Sequence, residues 1–199
     1  MRSFAKIISY LSHPLLVPTV LIGIILFFHN PTLLGGINLE QKVLFLCLVA
    51  FITFGGPVSY ILFLYFRGEI DDIYIKDKEK RRAPMILAMI CCATTAYQIQ
   101  QLNYPEAISR VLWICSAGIC LSFLINYFWK ISLHSMGAAG FTSIVYGLAF
   151  YSYYDYSIVL LASILFTGAI GFSRLILEAH TLNQVLAGYF LGSLAYFCF

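Results

Sequence analysis

The sequence predicts an all-α membrane protein: a polytopic transmembrane bundle of about seven helices (six to seven), folded as one integral membrane domain over residues 1–199. Three observations predict it. Hydrophobic residues make up 61% of the chain and charged residues only 11%, against about 25% charged in a soluble domain. Apolar runs of about 20 residues, the length a helix needs to cross a bilayer, recur from end to end. Charge is gathered into a few short segments, and only Arg67–Ala83 is strongly charged.

Taken in order, the first span is expected over Ile8–Phe28. His13-Pro14 and Pro18 should kink it, because proline has no N–H and its ring crowds the preceding turn. Turn-rich His29–Asn38 ends it. Lys42–Phe66 is the second, with Gly55-Gly56-Pro57 as a kink or close-approach point. After the charged stretch, Pro84 suits the first turn of a third helix that ends near Leu102. Glu106–Trp129, Ser135–Tyr153 and Ser157–Ile176 follow, and Thr181–Phe199 is the seventh. Gly188-x-x-x-Gly192 on that last helix has the spacing of a small-residue packing seam.

Several function classes fall away at once. A net charge of +3 without a basic face does not fit nucleic acid. The six cysteines (Cys47, Cys91, Cys92, Cys115, Cys120 and Cys198) all lie in apolar runs without a Cys-x-x-Cys pair, and read as small reduced core residues. A cleaved leader is not expected: the run after Arg2 and Lys6 holds two prolines and meets no small-residue cleavage site. Grouping Arg2, Lys6, the six basic residues from Arg67 to Arg82, Lys130 and Arg174 puts ten on one face, against Lys42 and Arg110 on the other. The basic excess marks the cytoplasmic side. The amino terminus and the polar motifs are therefore expected inside, with the protein in the cell (inner) membrane.

Two polar constellations stand at helix mouths. Ser173-Arg174 precedes His180 by six residues, and Gln184 follows one helical turn later on the same face. Lys130-Ile-Ser132-Leu-His134 opens the fifth helix. Groups this polar are costly at a membrane helix end unless they are used. The histidines lack metal-ligand spacing, and no carboxylate cluster sits beside them to hold magnesium; no metal or cofactor is expected. Histidine, arginine, lysine and serine together suggest phosphate chemistry on a histidine nucleophile. Plainer readings exist for several of these residues. Ser132 suits a helix cap, the Lys76–Arg82 run a cytoplasmic anchor with Asp71, Asp72, Asp77 and Glu79 as counter-charges, and His13 a structural residue before the kink.

Ser173-Arg174-x5-His180-x3-Gln184 resembles the third signature of the type 2 phosphatidic acid phosphatase superfamily, Ser-Arg-x5-His-x3-Asp. Ser132-Leu-His134 is similar to the second, Pro-Ser-Gly-His, with Ile131 and Leu133 in place of proline and glycine. Lys76 to Pro84 is similar to the first, Lys-x6-Arg-Pro, with Ala83 inserted between Arg82 and Pro84. The stretches span residues 76–188, the expected catalytic core. The resemblance implies metal-independent hydrolysis of a membrane-embedded lipid phosphomonoester, of phosphatidic acid, phosphatidylglycerophosphate or polyprenyl phosphate type. His180 would attack phosphorus to form a phosphohistidine, and His134 would protonate the leaving oxygen. Arg174, Arg82, Lys76, Lys130, Ser132 and Ser173 would hold phosphate oxygens. The expected partners are the lipid phosphate and the surrounding membrane lipids.

Gln184 stands where the family has an acid. Its carbonyl can accept from an imidazole N–H, but it carries no charge, and the comparable Asp→Asn change in the serine triad costs about 10⁴ in turnover. Glu178 could substitute only from an irregular turn. Three classes follow: a lipid phosphate phosphatase slowed by Gln184, a catalytically silent relative that binds or moves a phospholipid or polyprenyl phosphate, and a structural membrane scaffold.

Overall fold

The computed structural model of the chain describes residues 1–28, 37–71, 75, 77, 79–102, 104–151 and 155–199. Most of the turn-rich segment expected after Phe28, and Asp72, lie outside the described residues. Every regular element among those described is helical. Arg2–Phe28, Leu39–Phe66, Arg82–Gln101, Glu106–Phe128 and Ser157–Ile176 are long and apolar enough to cross a membrane. Their outward residues, among them Phe51, Phe66, Phe128 and Ile158, are large and apolar, a surface suited to lipid rather than water.

The first span is two helices, α1 (Arg2–Leu11) and α2 (Val17–Phe28), separated by one 3₁₀ turn at Pro14–Leu16. His13 caps that turn, its Nδ1 accepting from Leu15 N at 3.4 Å. Pro18 falls in the first turn of α2, where a missing N–H leaves no bond unmade. The second span joins α3 (Leu39–Ala50) to α4 (Gly56–Phe66) through a π-helical turn at Phe51–Gly55, where the sequence predicts a kink. Asn38 and Gln41 close a capping box on α3, with bonds of 2.9 and 3.0 Å. Then come α5 (Arg82–Gln101), α6 (Glu106–Phe128), α7 (Leu133–Tyr151), α8 (Ser157–Ile176) and α9 (Leu182–Ser193). α7 begins two residues before the expected Ser135, because the Ser132 hydroxyl accepts from Ser135 N at 3.3 Å and sets the cap upstream. α9 stops short of the expected Phe199 and tightens into a 3₁₀ segment, Leu194–Cys198.

The helices fall into two compact units, Pro31–Lys130 and Met1–Asn30 with Ile131–Phe199. In the first, α5 packs along α6, and the Ser116 hydroxyl donates to Met89 O at 3.1 Å. In the second, α7 is central, with α8, α9 and α2 against it and α1 against α8. Its contact with α9 is the glycine seam. A Cβ at Gly188 would stand 2.7 Å from Ser132 O, and one at Gly192 would collide with Met136 O. Only glycine lets the two backbones come this close. Hydroxyls join α7 to α8: Thr142 and Thr167 meet at 2.9 Å, and Thr167 Oγ1 donates to Ala138 O at 3.1 Å.

The end of α8 places the site. Glu178 N donates to Leu175 O at 3.0 Å and Ala179 N to Arg174 O at 3.1 Å, the paired bonds of a Schellman turn. The residue turning the corner adopts a left-handed conformation, normally left to glycine. α4 ends the same way with Gly68 at φ 71°; α8 does so with Glu178 at φ 52°. This corner lies two residues before His180 and turns the chain out of α8 toward the start of α9.

Candidate active site

Six predicted site residues share one unit, Ser132 and Ser173 among them; the other four are His134 in the first turn of α7, Arg174 in the last turn of α8, His180 just before α9, and Gln184 in its first turn. Arg174, His13 and His180 all lie within electrostatic range of the His134 ring. His13 meets it edge-on, with ring centroids 5.8 Å apart. The backbone ties the two constellations together as well, since Ser132 N donates to Gln184 O at 3.4 Å.

Gln184 determines which His180 nitrogen carries the proton. Its Oε1 lies 3.2 Å from Thr181 N and 3.1 Å from His180 Nδ1. The Thr181 N–H can only donate, so the amide atom facing it is the oxygen, and an oxygen facing Nδ1 requires a proton on Nδ1. Neutral His180 therefore carries its lone pair on Nε2. The bond to Thr181 is half of a capping box, completed by the Thr181 side chain accepting from Gln184 N. The same glutamine thus anchors α9 and orients the imidazole. Glu178 is on an irregular turn, but its carboxylate accepts from Arg2 Nη2 at 2.8 Å on the exposed surface, so it is committed to α1 rather than to His180.

One residue absent from the sequence-based set joins the site. Ser9 of α1 is 1% exposed. Its hydroxyl accepts from Arg174 Nη1 at 2.5 Å. Its carbonyl lies 3.2 Å from His134 Nε2, and because a carbonyl only accepts, that nitrogen is an N–H. Ser9 O is one of the last four carbonyls of α1, which have no partner within the helix; His134 supplies one. A serine in an apolar run, 165 residues from Arg174 in sequence, carries no local signal.

The other predicted phosphate ligands are placed differently. The Ser173 hydroxyl donates to Ile170 O on its own helix at 2.7 Å. The Ser132 hydroxyl caps α7 and meets Ser135 Oγ at 2.8 Å. Arg82 and Lys130 belong to the unit Pro31–Lys130. There Arg82 forks onto the Glu79 carboxylate, with Nη2 to Oε1 at 2.7 Å, and stacks 4.6 Å above the Tyr127 ring. Lys76 lies outside the described residues. Among the described residues no group of three or more His, Cys, Asp or Glu side chains is arranged to hold a metal ion.

Compared with known proteins, the chain matches no family model, no curated sequence and no solved structure.

Proposed function

We propose that the protein is an integral membrane phosphatase of the kind its motifs resemble, hydrolysing a lipid phosphomonoester at His180. The observation that carries the reading is the Gln184 contact, which leaves the His180 lone pair on Nε2, in a unit where His180 and Arg174 both lie within electrostatic range of His134. The Nε2 lone pair attacks phosphorus and the P–O ester bond breaks. The bound phosphate dianion draws a proton from solvent onto His134, and the imidazolium so formed gives its Nε2 proton to the leaving alkoxide. Water then cleaves the P–N bond, returns a proton to His134 and releases phosphate. Arg174 neutralises charge on the phosphoryl oxygens throughout; a planar fork suits that task better than a point charge.

The seven-span topology, the cytoplasmic site, the cell-membrane location and the lipid substrate belong to the same proposal, supported by the basic-residue asymmetry and the five apolar helices. One observation favours the second reading, a silent binder of lipid phosphate: the residue holding His180 is neutral, so nothing in that contact stabilises the charge that forms on the ring. The deciding assay is phosphate release from short-chain phosphatidic acid in metal-free buffer, with wild type and His180→Ala compared. Turnover lost in the variant supports the phosphatase. No turnover in wild type, with lipid phosphate still bound, supports the binder.

A further inference from the structure

Both groups that the proposed reaction needs for phosphate are engaged by Ser9. Its hydroxyl stands where a phosphoryl oxygen would meet Arg174, and its carbonyl stands where the leaving oxygen would meet the His134 N–H. Resting on the phosphatase reading, we infer that α1 is an internal stopper: Ser9 occupies the anion site, and substrate enters only as α1 withdraws its last turn.

The construction of α1 fits that role. It ends at Leu11 and is separated from α2 by the 3₁₀ turn at Pro14–Leu16. Pro14 cannot donate an N–H to Tyr10 O, so the chain between α1 and α2 is not held as one continuous helix. The face of α1 turned inward presents small residues, Ala5 and Ser9. Its outer face carries Phe4, Ile7 and Leu11, each more than half exposed, so withdrawal does not pull bulky side chains out of a core. Beside the Ser9 contacts, α1 packs on α8, and the surface ion pair Arg2–Glu178 at 2.8 Å ties it to the α8–α9 turn. An exposed pair of this kind contributes little, so it closes the stopper without locking it. The anion gains what Ser9 gives up, because a doubly charged phosphate accepts from Arg174 and His134 more strongly than a neutral hydroxyl and an amide carbonyl.

The experiment uses inorganic vanadate as the phosphate probe and the full-length protein in detergent. Vanadate affinity is measured for wild type, Ser9→Ala and Ser9→Thr. Removing the hydroxyl takes a competing charge-assisted bond away from Arg174, so Ser9→Ala should bind vanadate about tenfold more tightly; Ser9→Thr, which keeps the hydroxyl, should bind like wild type. In parallel, Ser9→Cys is labelled with maleimide and read at residue 9 by peptide mass spectrometry, which separates it from the six native cysteines. Labelling should be slow without vanadate and several-fold faster with it. This arm keeps the inference open to refutation where Ser9→Ala fails to fold.

If vanadate binding depends on His180 but Ser9→Ala binds no tighter, or the thiol of Ser9→Cys becomes less reactive with vanadate, the stopper is overturned and the phosphatase reading stands. In that case Ser9 is a fixed support. If neither wild type nor Ser9→Ala binds vanadate, both readings fail together.

Discussion

Replacing Gln184 by glutamate tests the electrostatics of the site directly. The side chain length is unchanged, so a carboxylate oxygen would sit where Oε1 now lies, 3.1 Å from His180 Nδ1 and 3.2 Å from Thr181 N. The capping box would survive, since glutamate serves at its third position as well as glutamine. What changes is the charge opposite the ring as His180 becomes cationic. Opposite unit charges about 4 Å apart attract by about 4 kcal/mol at an effective dielectric of 20. The neutral bond it replaces already supplies about 1 kcal/mol, and partial burial of the carboxylate removes about 1 more. The net is about 2 kcal/mol, or roughly 30-fold in kcat. Aspartate, the residue at this place in the signature the chain resembles, is one methylene shorter and cannot serve ring and backbone at once, so Gln184→Asp should gain less and loosen the start of α9. The assay is phosphate release from short-chain phosphatidic acid by purified wild type, Gln184→Glu, Gln184→Asp and His180→Ala. A folded Gln184→Glu protein with unchanged or lower kcat would refute this reasoning, and turnover persisting in His180→Ala would show another nucleophile.

Four further predictions concern the scaffold and its sidedness. Gly192→Ala puts a methyl into the Met136 carbonyl and should cost about 1–3 kcal/mol, seen as a lower midpoint in thermal unfolding in detergent. Gly168→Ala, where nothing lies within 4 Å, should match wild type or exceed it. Glu178→Gly relieves a left-handed conformation that costs about 1–2 kcal/mol and loses an exposed pair with Arg2 worth about 0–1 kcal/mol; the same measurement should show an equal or higher midpoint, and a clear drop would mean the turn is not strained. Lys80→Cys lies in the basic loop assigned to the cytoplasm and should resist an impermeant thiol reagent in intact cells, then react once the cells are opened. Labelling in intact cells would reverse the topology.

Much of the helical layout is legible because its punctuation is local. The starts expected at Glu106 and Ser157 are those of α6 and α8, and Gly188 and Gly192 announce a seam that the structure then uses. The π-helical turn beside Pro57 appears in the sequence only as a kink, since a local pattern signals that the ladder breaks and not how it re-forms. The shortness of α9 is hidden, because its apolar run continues unbroken through Leu194–Cys198. The histidine constellations are readable from spacing. The Thr181-x-x-Gln184 capping box is equally readable, but a reading of Gln184 as a site residue alone masks it; the structure gives it both roles. Ser9 is beyond reach, because its meaning lies in a contact between the two ends of the chain. Glu178 defies the rule that a left-handed corner calls for glycine, so the corner before His180 has no signature.

The seam between α7 and α9 bears on how the protein behaves outside its native bilayer. Where a Cβ at Gly192 would meet Met136 O, and one at Gly188 would meet Ser132 O, an α-hydrogen points at a carbonyl instead. These are Cα–H···O contacts, each weak but repeated along the crossing. They depend on backbone shape alone and lose nothing when lipid is exchanged for surfactant. Associations that rely on bulky apolar side chains compete with detergent tails; this one offers the tails no space to enter. The pair formed by α7, which carries His134, and α9, which His180 precedes, should therefore be the last part of the molecule to come apart during solubilisation, and purification chemistry has more freedom here than in a bundle held by side chains.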